Sequence, residues 1–383
     1  MESTLQLSVK TLEWAANKNG SSLPEFARTL YTRDESVANN ITRGALTFVQ
    51  MKKFAERAKV PFGFLFLPEP PPKFTTAKNL VDFRTVKNNE PLSDDFLEIY
   101  KDVEHKQTWY KDYLISIDEP KLEFVGKYRN NPNIANEIIA ADIRRTLDLE
   151  NIEQKISPAY YYDEFAKHCE SAGVLVFKNS VVVTNNRRSL NANEFRGFVI
   201  ADDYAPAVFI NADDSKKANI FTLAHELAHV WLGESGISDA DTNSNNQHEV
   251  KCNAIAAEIL VPKNYFLQAW DASPLDDRQK ITKLNRKFKV SDLVIARVAL
   301  TNKKISPEFY RLIQDEVEKH WRDHKAKLKA KEKKGGPPQS RTAPIKNSRR
   351  LNSTVLSLVR SHQMALSEAS ILLNVNTARI LSL

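Results

Sequence analysis

Apolar and polar positions change their period along the chain, and the changes mark its organisation. Over residues 7–67 the apolar positions recur at helical spacing in four short runs. TLEWAANKNG predicts a helix ending near Gly20, and Ser22 is placed to cap SLPEFARTL. DESVANNITRG supplies a third helix, and Thr47 stands at the cap of TFVQMKKFAERAKV. PFGFLFLPEPPP then closes the unit with an apolar plug and a proline stop. Four short helices with tight turns predict a helix-turn-helix-like unit over 1–71. From 72 to 154 the pattern stays helical but turns polar, through VDFRTV and DFLEIYKDVEHKQTWYKDYL, and predicts a connector that packs on both neighbours. GVLVFKNSVVVTNN and FRGFVIADDYAPAVFINA are β-rich runs with Asn/Asp turns, which predict three or four short antiparallel strands. Helical patterns return at 215–233 and 248–261, with several more to about 330. The fold class expected is therefore α+β, mostly helical, with a small sheet beside a core helix in a unit over 155–330. A basic Gly/Pro linker over 331–349 and one or two short helices over 350–383 complete the plan.

Composition narrows the function classes. The 383 residues are 42% apolar and 27% charged, as in ordinary globular proteins. No apolar run approaches the roughly 18 residues that span a bilayer. The N-terminal MESTLQLSVK lacks a basic stretch followed by an apolar segment, so no secretory signal is expected. Cys169 and Cys252 lie far apart in sequence, which is no disulfide framework and fits a cytoplasmic location. The net charge of +7 is local: residues 319–350 hold twelve Lys/Arg against Asp323 and Glu332, so the rest of the chain is slightly acidic. That segment reads either as a polyanion-binding stretch or as a solvated helix end and linker.

Candidate chemistry centres on FTLAHELAHVWLG at 221–233. Residues four apart share a helix face, so His225 and His229 can address one metal ion. Zinc takes imidazole nitrogen readily and keeps an open position when three protein ligands are supplied. Glu226 lies about 100° round the helix, where it can take a proton from an acidified water without itself being a ligand. The plain alternative is two histidines satisfied on a buried helix. Ala224, Leu227, Ala228 and Val230 make that helix apolar, as a core-embedded active-site helix would be. One metallopeptidase class places Gly and a third His downstream, where this chain has Leu232 and Ser235, so that class is excluded. The third ligand must come from elsewhere. QHEVKCNAIAAEILVP offers Glu249, with Asn253 on the same face and Glu258 about 180° away. If Glu249 faces the ion, Glu258 cannot, and Asn253 is placed to hydrogen-bond a ligand histidine. Cys252, His248 and Asp241 compete with Glu249. His248, Arg196 and Tyr204 are the candidates for an oxyanion donor.

FRGFVIADDYAPAVFIN, FTLAHELAHVWLGESGISD and EVKCNAIAAEILVP together resemble the ImmA/IrrE family of zinc metallopeptidases. VSDLVIARVALTNKKIS is similar to a helix pair downstream in that family, and VLSLVRSHQMALSEASILLNV to a helical tail of fused members. The N-terminal unit looks like the Xre/Cro-type helix-turn-helix domain often fused ahead of such peptidases. The resemblance implies one zinc per chain held by His225, His229 and Glu249, with Glu226 as general base. It further implies a protein substrate, a repressor or a toxin–antitoxin partner, in a prokaryotic or phage system. The N-terminal unit departs from its pattern, since NNITRGALTF lacks the family's Trp-Glu-x-Gly signature. Asn39, Asn40 and Arg43 can contact DNA, but two acids open their helix, and protein–protein contact is the other reading. A second function class therefore stands beside the endopeptidase: a DNA-binding regulator or antitoxin whose zinc is structural or rarely catalytic.

Overall fold

The computed structural model describes residues 4–18, 20–32, 34–58, 60, 62–70, 81–82, 92–131, 133–150, 156–238, 246–330 and 339–382. By their contacts, residues 1–78, 93–99 and 181–190 form one compact unit and the remaining residues another.

In the first unit, β1 (Thr4–Gln6) and α1 (Val9–Lys18) precede α2 (Leu23–Leu30) and α3 (Glu35–Thr42). β2 (Ala45–Thr47), antiparallel to β1, leads into α4 (Phe48–Ala58) and a 3-10 turn over Phe62–Phe66. Local chemistry sets the helix starts. The Asp34 carboxylate accepts the Val37 N–H at 3.1 Å. Thr47 Oγ1 accepts from Gln50 N at 3.3 Å while Gln50 Oε1 accepts from Thr47 N at 2.8 Å, a reciprocal capping box. Ser22 stands at the α2 cap position, as expected, but its hydroxyl makes no capping bond. Leu12, Phe26, Ile41 and Phe54 form the dry core, with the Phe26 and Phe54 rings 4.9 Å apart. The β1–β2 ribbon was absent from the helical expectation. The chain passes from α3 into β2 at Gly44, whose φ is +83° and where a Cβ would stand 2.5 Å from Leu7 O.

The second unit begins with β3 (Val81–Asp82), where a helical connector was expected; residues 83–91 lie outside the described residues. α5 (Asp94–Ser116), whose residues up to Ile99 belong to the first unit, α6 (Asn136–Thr146) and α7 (Tyr161–Ser171) follow, then β4 (Leu175–Asn179). The hairpin β5 (Val181–Val182) and β6 (Asn185–Ser189) belongs to the first unit, where Arg188 pairs with Asp95 and Glu98. β7 (Gly197–Ile200), β8 (Ala207–Asn211), α8 (Lys216–Leu232), β9 (Gly236–Ser238) and α9 (Gln247–Leu260) build the core. α10 (Lys263–Asp271), α11 (Asp277–Phe288), α12 (Asp292–Thr301), α13 (Pro307–Ala330), α14 (Gln339–Lys346), α15 (Arg349–Arg360) and α16 (Leu366–Leu373) complete it, ending in a 3-10 turn over Thr377–Ser382.

The α+β class with a small sheet holds, but the sheet is mixed rather than antiparallel. Its order is β3-β9-β7-β8-β4. β7 runs antiparallel to β8 and β9, whereas both edge strands pair in parallel. Parallel edges need long crossovers, and strand composition alone does not announce them. Alternation along β7 aims Phe198 at one face, stacked 4.9 Å from Phe209, and Gly197 and Val199 at the α8 face. The stretch 331–349, expected as a linker, carries α14 in its second half, while 331–338 fall outside the described residues. α15 is then capped from far away in sequence: Glu170 Oε1 accepts from Ser348 Oγ and from Arg349 N, each at 2.6 Å. No helix among the described residues is long and apolar enough to cross a membrane.

Candidate metal centre

α8 starts at Ser215, whose hydroxyl accepts the Ala218 N–H at 3.1 Å, and is buried on all sides from Thr222 to Leu232. Burial around the full circumference makes it a core helix, and it brings His225, Glu226 and His229 inside with it. α9, capped by the Asn246 side chain on His248 N, packs against α8 and buries Glu249 and Cys252.

The two helices bring three donors together. His225 Nε2 and His229 Nε2 lie 3.2 Å apart, and each is 3.2 Å from an oxygen of Glu249. Zinc–nitrogen and zinc–oxygen bonds of about 2.0–2.1 Å at tetrahedral corners separate neighbouring donors by about 3.3 Å. The triangle therefore matches a zinc site in size as well as in chemistry. His225 Nδ1 donates to Asn253 Oδ1 at 3.0 Å, which leaves the Nε2 lone pair directed into the triangle. Asn253 thus stands where its spacing from Glu249 predicts. Glu258 turns away, accepting the Lys263 N–H at 3.1 Å. Asp241 lies outside the described residues.

Two buried carboxylates at the centre are pushed in opposite directions. Burial raises Glu249, but hydrogen bonds and charge from His225 and His229 outweigh it and hold the group down at about 2. Burial also dominates at Glu226, and there the histidines offset it only in part, so its pKa is pushed up to about 7. Neither Glu226 oxygen has a partner at ordinary hydrogen-bond geometry among the described residues; the buried Ser238 hydroxyl, itself without another partner, stands close enough to favour the Glu226 carboxylate slightly. A Cβ at Gly197 would stand 2.6 Å from Glu226 Oε1, so a glycine on β7 makes the space in which that carboxylate sits. Buried polar atoms without partners cost free energy unless a ligand, ion or water completes them.

Cys252 falls on the other side of His229. Its Sγ is 3.5 Å from Nδ1, not among the Nε2 donors, and burial raises its pKa, which His229 only partly offsets. Glu234, which the sequence reasoning missed, bonds that same Nδ1 at 3.3 Å and His248 Nδ1 at 2.7 Å. Gly233 at φ +72° and the Glu234 N–H on His229 O, 3.0 Å, form the αL helix ending that folds Glu234 back over the last turn. The glycine after the apolar run was the available signal. Burial raises the Glu234 pKa, but bonds to His229 and His248 outweigh it and lower it. Burial likewise opposes the charged form of His229, yet Cys252, Glu234 and Glu249 prevail and raise it well above its ordinary value.

The oxyanion candidates separate too. Arg196 Nε pairs with Asp214 at 3.4 Å, and Lys121 stands over the Tyr204 ring at 5.6 Å. Tyr204 lies in the loop between β7 and β8. A cleft of about 1830 Å³ is lined by Phe221, Val250, Asn253 and Val294 but by none of the three donors or Glu226, so it adjoins the Asn253 side of His225 rather than the triangle.

Residues 169–299, about a third of the chain, match the model of the IrrE N-terminal-like domain family, Peptidase_M78. The match supports a metallopeptidase-like function in general, and with the buried His-His-Glu group it is consistent with a bound metal ion. No curated protein and no solved structure matches the chain.

Proposed function

We propose that this chain is a zinc-dependent endopeptidase that cleaves a regulatory protein, a repressor or a toxin–antitoxin partner, in a prokaryotic or phage system. His225, His229 and Glu249 would hold one zinc ion. The observation that carries the reading is Glu226: a fully buried carboxylate beside the donor triangle, with only the weak approach of the Ser238 hydroxyl near it among the described residues. When bound, zinc supplies Lewis acidity toward a peptide carbonyl and lowers the pKa of a water. Glu226 supplies the proton handling. With its pKa near 7, it accepts a proton from the attacking water at neutral pH and returns it to the leaving amine. Asn253 keeps the His225 ring in the tautomer that offers Nε2. A purely structural zinc needs no such carboxylate, which weighs against the regulator or antitoxin reading.

In the N-terminal unit, Asn39 and Asn40 on α3 and Arg43 just after it are exposed, but Phe48, Val49 and Phe66 are exposed as well. An aromatic surface favours protein contact over DNA contact for this unit. Co-expression of the intact chain, or of Glu226→Gln, with proteins encoded beside it tests the central reading. Mass spectrometry should find new peptide termini in one partner only with the intact chain. Termini that appear equally with the variant, or none in any partner, would reverse the conclusion.

A further inference from the structure

The metal motif contains no Glu234, yet this residue touches both helices that carry the donors. Its Oε2 faces His229 Nδ1 at the end of α8, and its Oε1 accepts from His248 Nδ1 at the start of α9. His248 immediately precedes Glu249, the α9 donor, so the Glu234–His248 bond links the end of α8, which carries the histidine pair, to the start of the helix that carries the third ligand. His229 Nδ1, Glu234 and Cys252 Sγ also lie close enough together to be read as a second metal site. The chemistry opposes that. His229 Nε2 already belongs to the first triangle, so a second ion would require a doubly deprotonated ring shared between two cations. Cys252 is fully buried, where the thiol form is favoured over the thiolate that binds metals.

We propose that Glu234 is the positioning carboxylate of the metal centre. It holds the Nδ1 proton of His229, aims Nε2 into the triangle, and through His248 clamps the end of α8 to the start of α9. Carboxylates behind ligand histidines typically contribute 10–100-fold in metal affinity. This proposal rests on the zinc reading above, and one experiment separates the two.

Zinc affinity is measured on the full chain by competition with a chromophoric chelator, and stoichiometry by elemental analysis, for the parent, Glu234→Ala, Glu234→Gln and His248→Ala. The Ala variant should bind one zinc about 10–100-fold more weakly than the parent. The Gln variant should lose less, because its amide oxygen still accepts from Nδ1. His248→Ala keeps the Oε2 bond to His229 and should also lose less than Glu234→Ala. A role confined to folding would lower the thermal midpoint of the metal-free protein without this graded loss of affinity. If Glu234→Ala fails to fold, the Gln variant and its cobalt spectrum carry the comparison: a shift in the d–d bands supports the proposal, and an unchanged spectrum with unchanged affinity overturns it. Parent-like affinity in folded Glu234→Ala overturns it as well. Two zinc ions in the parent and one in the variant would replace it with a second metal site. A parent that binds no zinc at all would remove the metal reading itself, and this proposal with it.

Discussion

The α1–α4 unit and the α8–α9 pair use their polar groups in opposite ways. In the first, polar side chains are spent on the fold itself: Asp34 caps α3, Thr47 and Gln50 cap α4, the Thr42 hydroxyl donates to Asn39 O, and the buried Thr11 hydroxyl donates to Leu67 O. Its interior is aliphatic and aromatic. In the second, ionisable groups are carried inside a helix buried on all sides, and Glu226 is left without a partner at ordinary hydrogen-bond geometry among the described residues. Polar groups that cap helices need no further explanation. Buried groups left unspent do, and ordinary folds seldom tolerate them. On the proposed reading, the contrast assigns the chemistry to α8–α9 and a different task to the N-terminal helices.

The largest test of that contrast is Glu226→Gln. Removing a general base typically costs 10²- to 10⁴-fold in rate, and isosteric replacement should leave zinc content intact. Partner cleavage followed on gels, alongside metal analysis, checks both; native-rate cleavage by the variant would erase the distinction between the regions.

A second test reads the same carboxylate through stability. The folded-state pKa of Glu226 lies near 7, above its ordinary 4.5. Its contribution is therefore fully present below pH 4.5 and is lost as pH rises through 7. In metal-free protein, Glu226→Gln should be more stable than the parent at pH 8, by up to about 3 kcal/mol, and the advantage should vanish near pH 4. Denaturant titrations at the two pH values measure it.

Gly197→Ala is the third. The added methyl would meet Glu226 Oε1 at 2.6 Å, Thr222 Cγ2 at 2.9 Å and Phe209 O at 3.0 Å. Overpacking of this kind costs about 1–3 kcal/mol, and the displaced carboxylate should reduce cleavage while zinc remains bound. The smallest effect is expected in the other region. Asp34→Ala should cost about 1 kcal/mol as a lost helix cap, with zinc affinity and cleavage unchanged. A change in zinc affinity there would mean that the two regions are not chemically separate.

Much of the centre is legible in sequence because helix periodicity alone fixes it. The four-residue spacing of His225 and His229 puts both rings on one face, and the same spacing puts Asn253 behind His225 once Glu249 faces inward. What periodicity does not carry is which nitrogen a neighbour meets. Cys252 is close to Glu249 in angle, yet it reaches Nδ1 of His229 while Glu249 reaches Nε2. Glu234 depends on the left-handed Gly233 turn, which reverses the chain and lies outside any helical count. Long-range pairing was likewise invisible. Val81–Asp82 joins β9 across more than a hundred residues, and Glu170 caps α15 from a distant helix. Neither leaves a local mark.

The central claim is that His225, His229 and Glu249 hold a single zinc ion whose open side faces Glu226. Anomalous diffraction at the zinc edge from crystals of the full chain tests it most directly. The account predicts one peak at bonding distance from His225 Nε2, His229 Nε2 and a Glu249 oxygen, with Glu226 near but unbound. A peak bound to Cys252 or Glu226, or no peak in zinc-loaded protein, would contradict it.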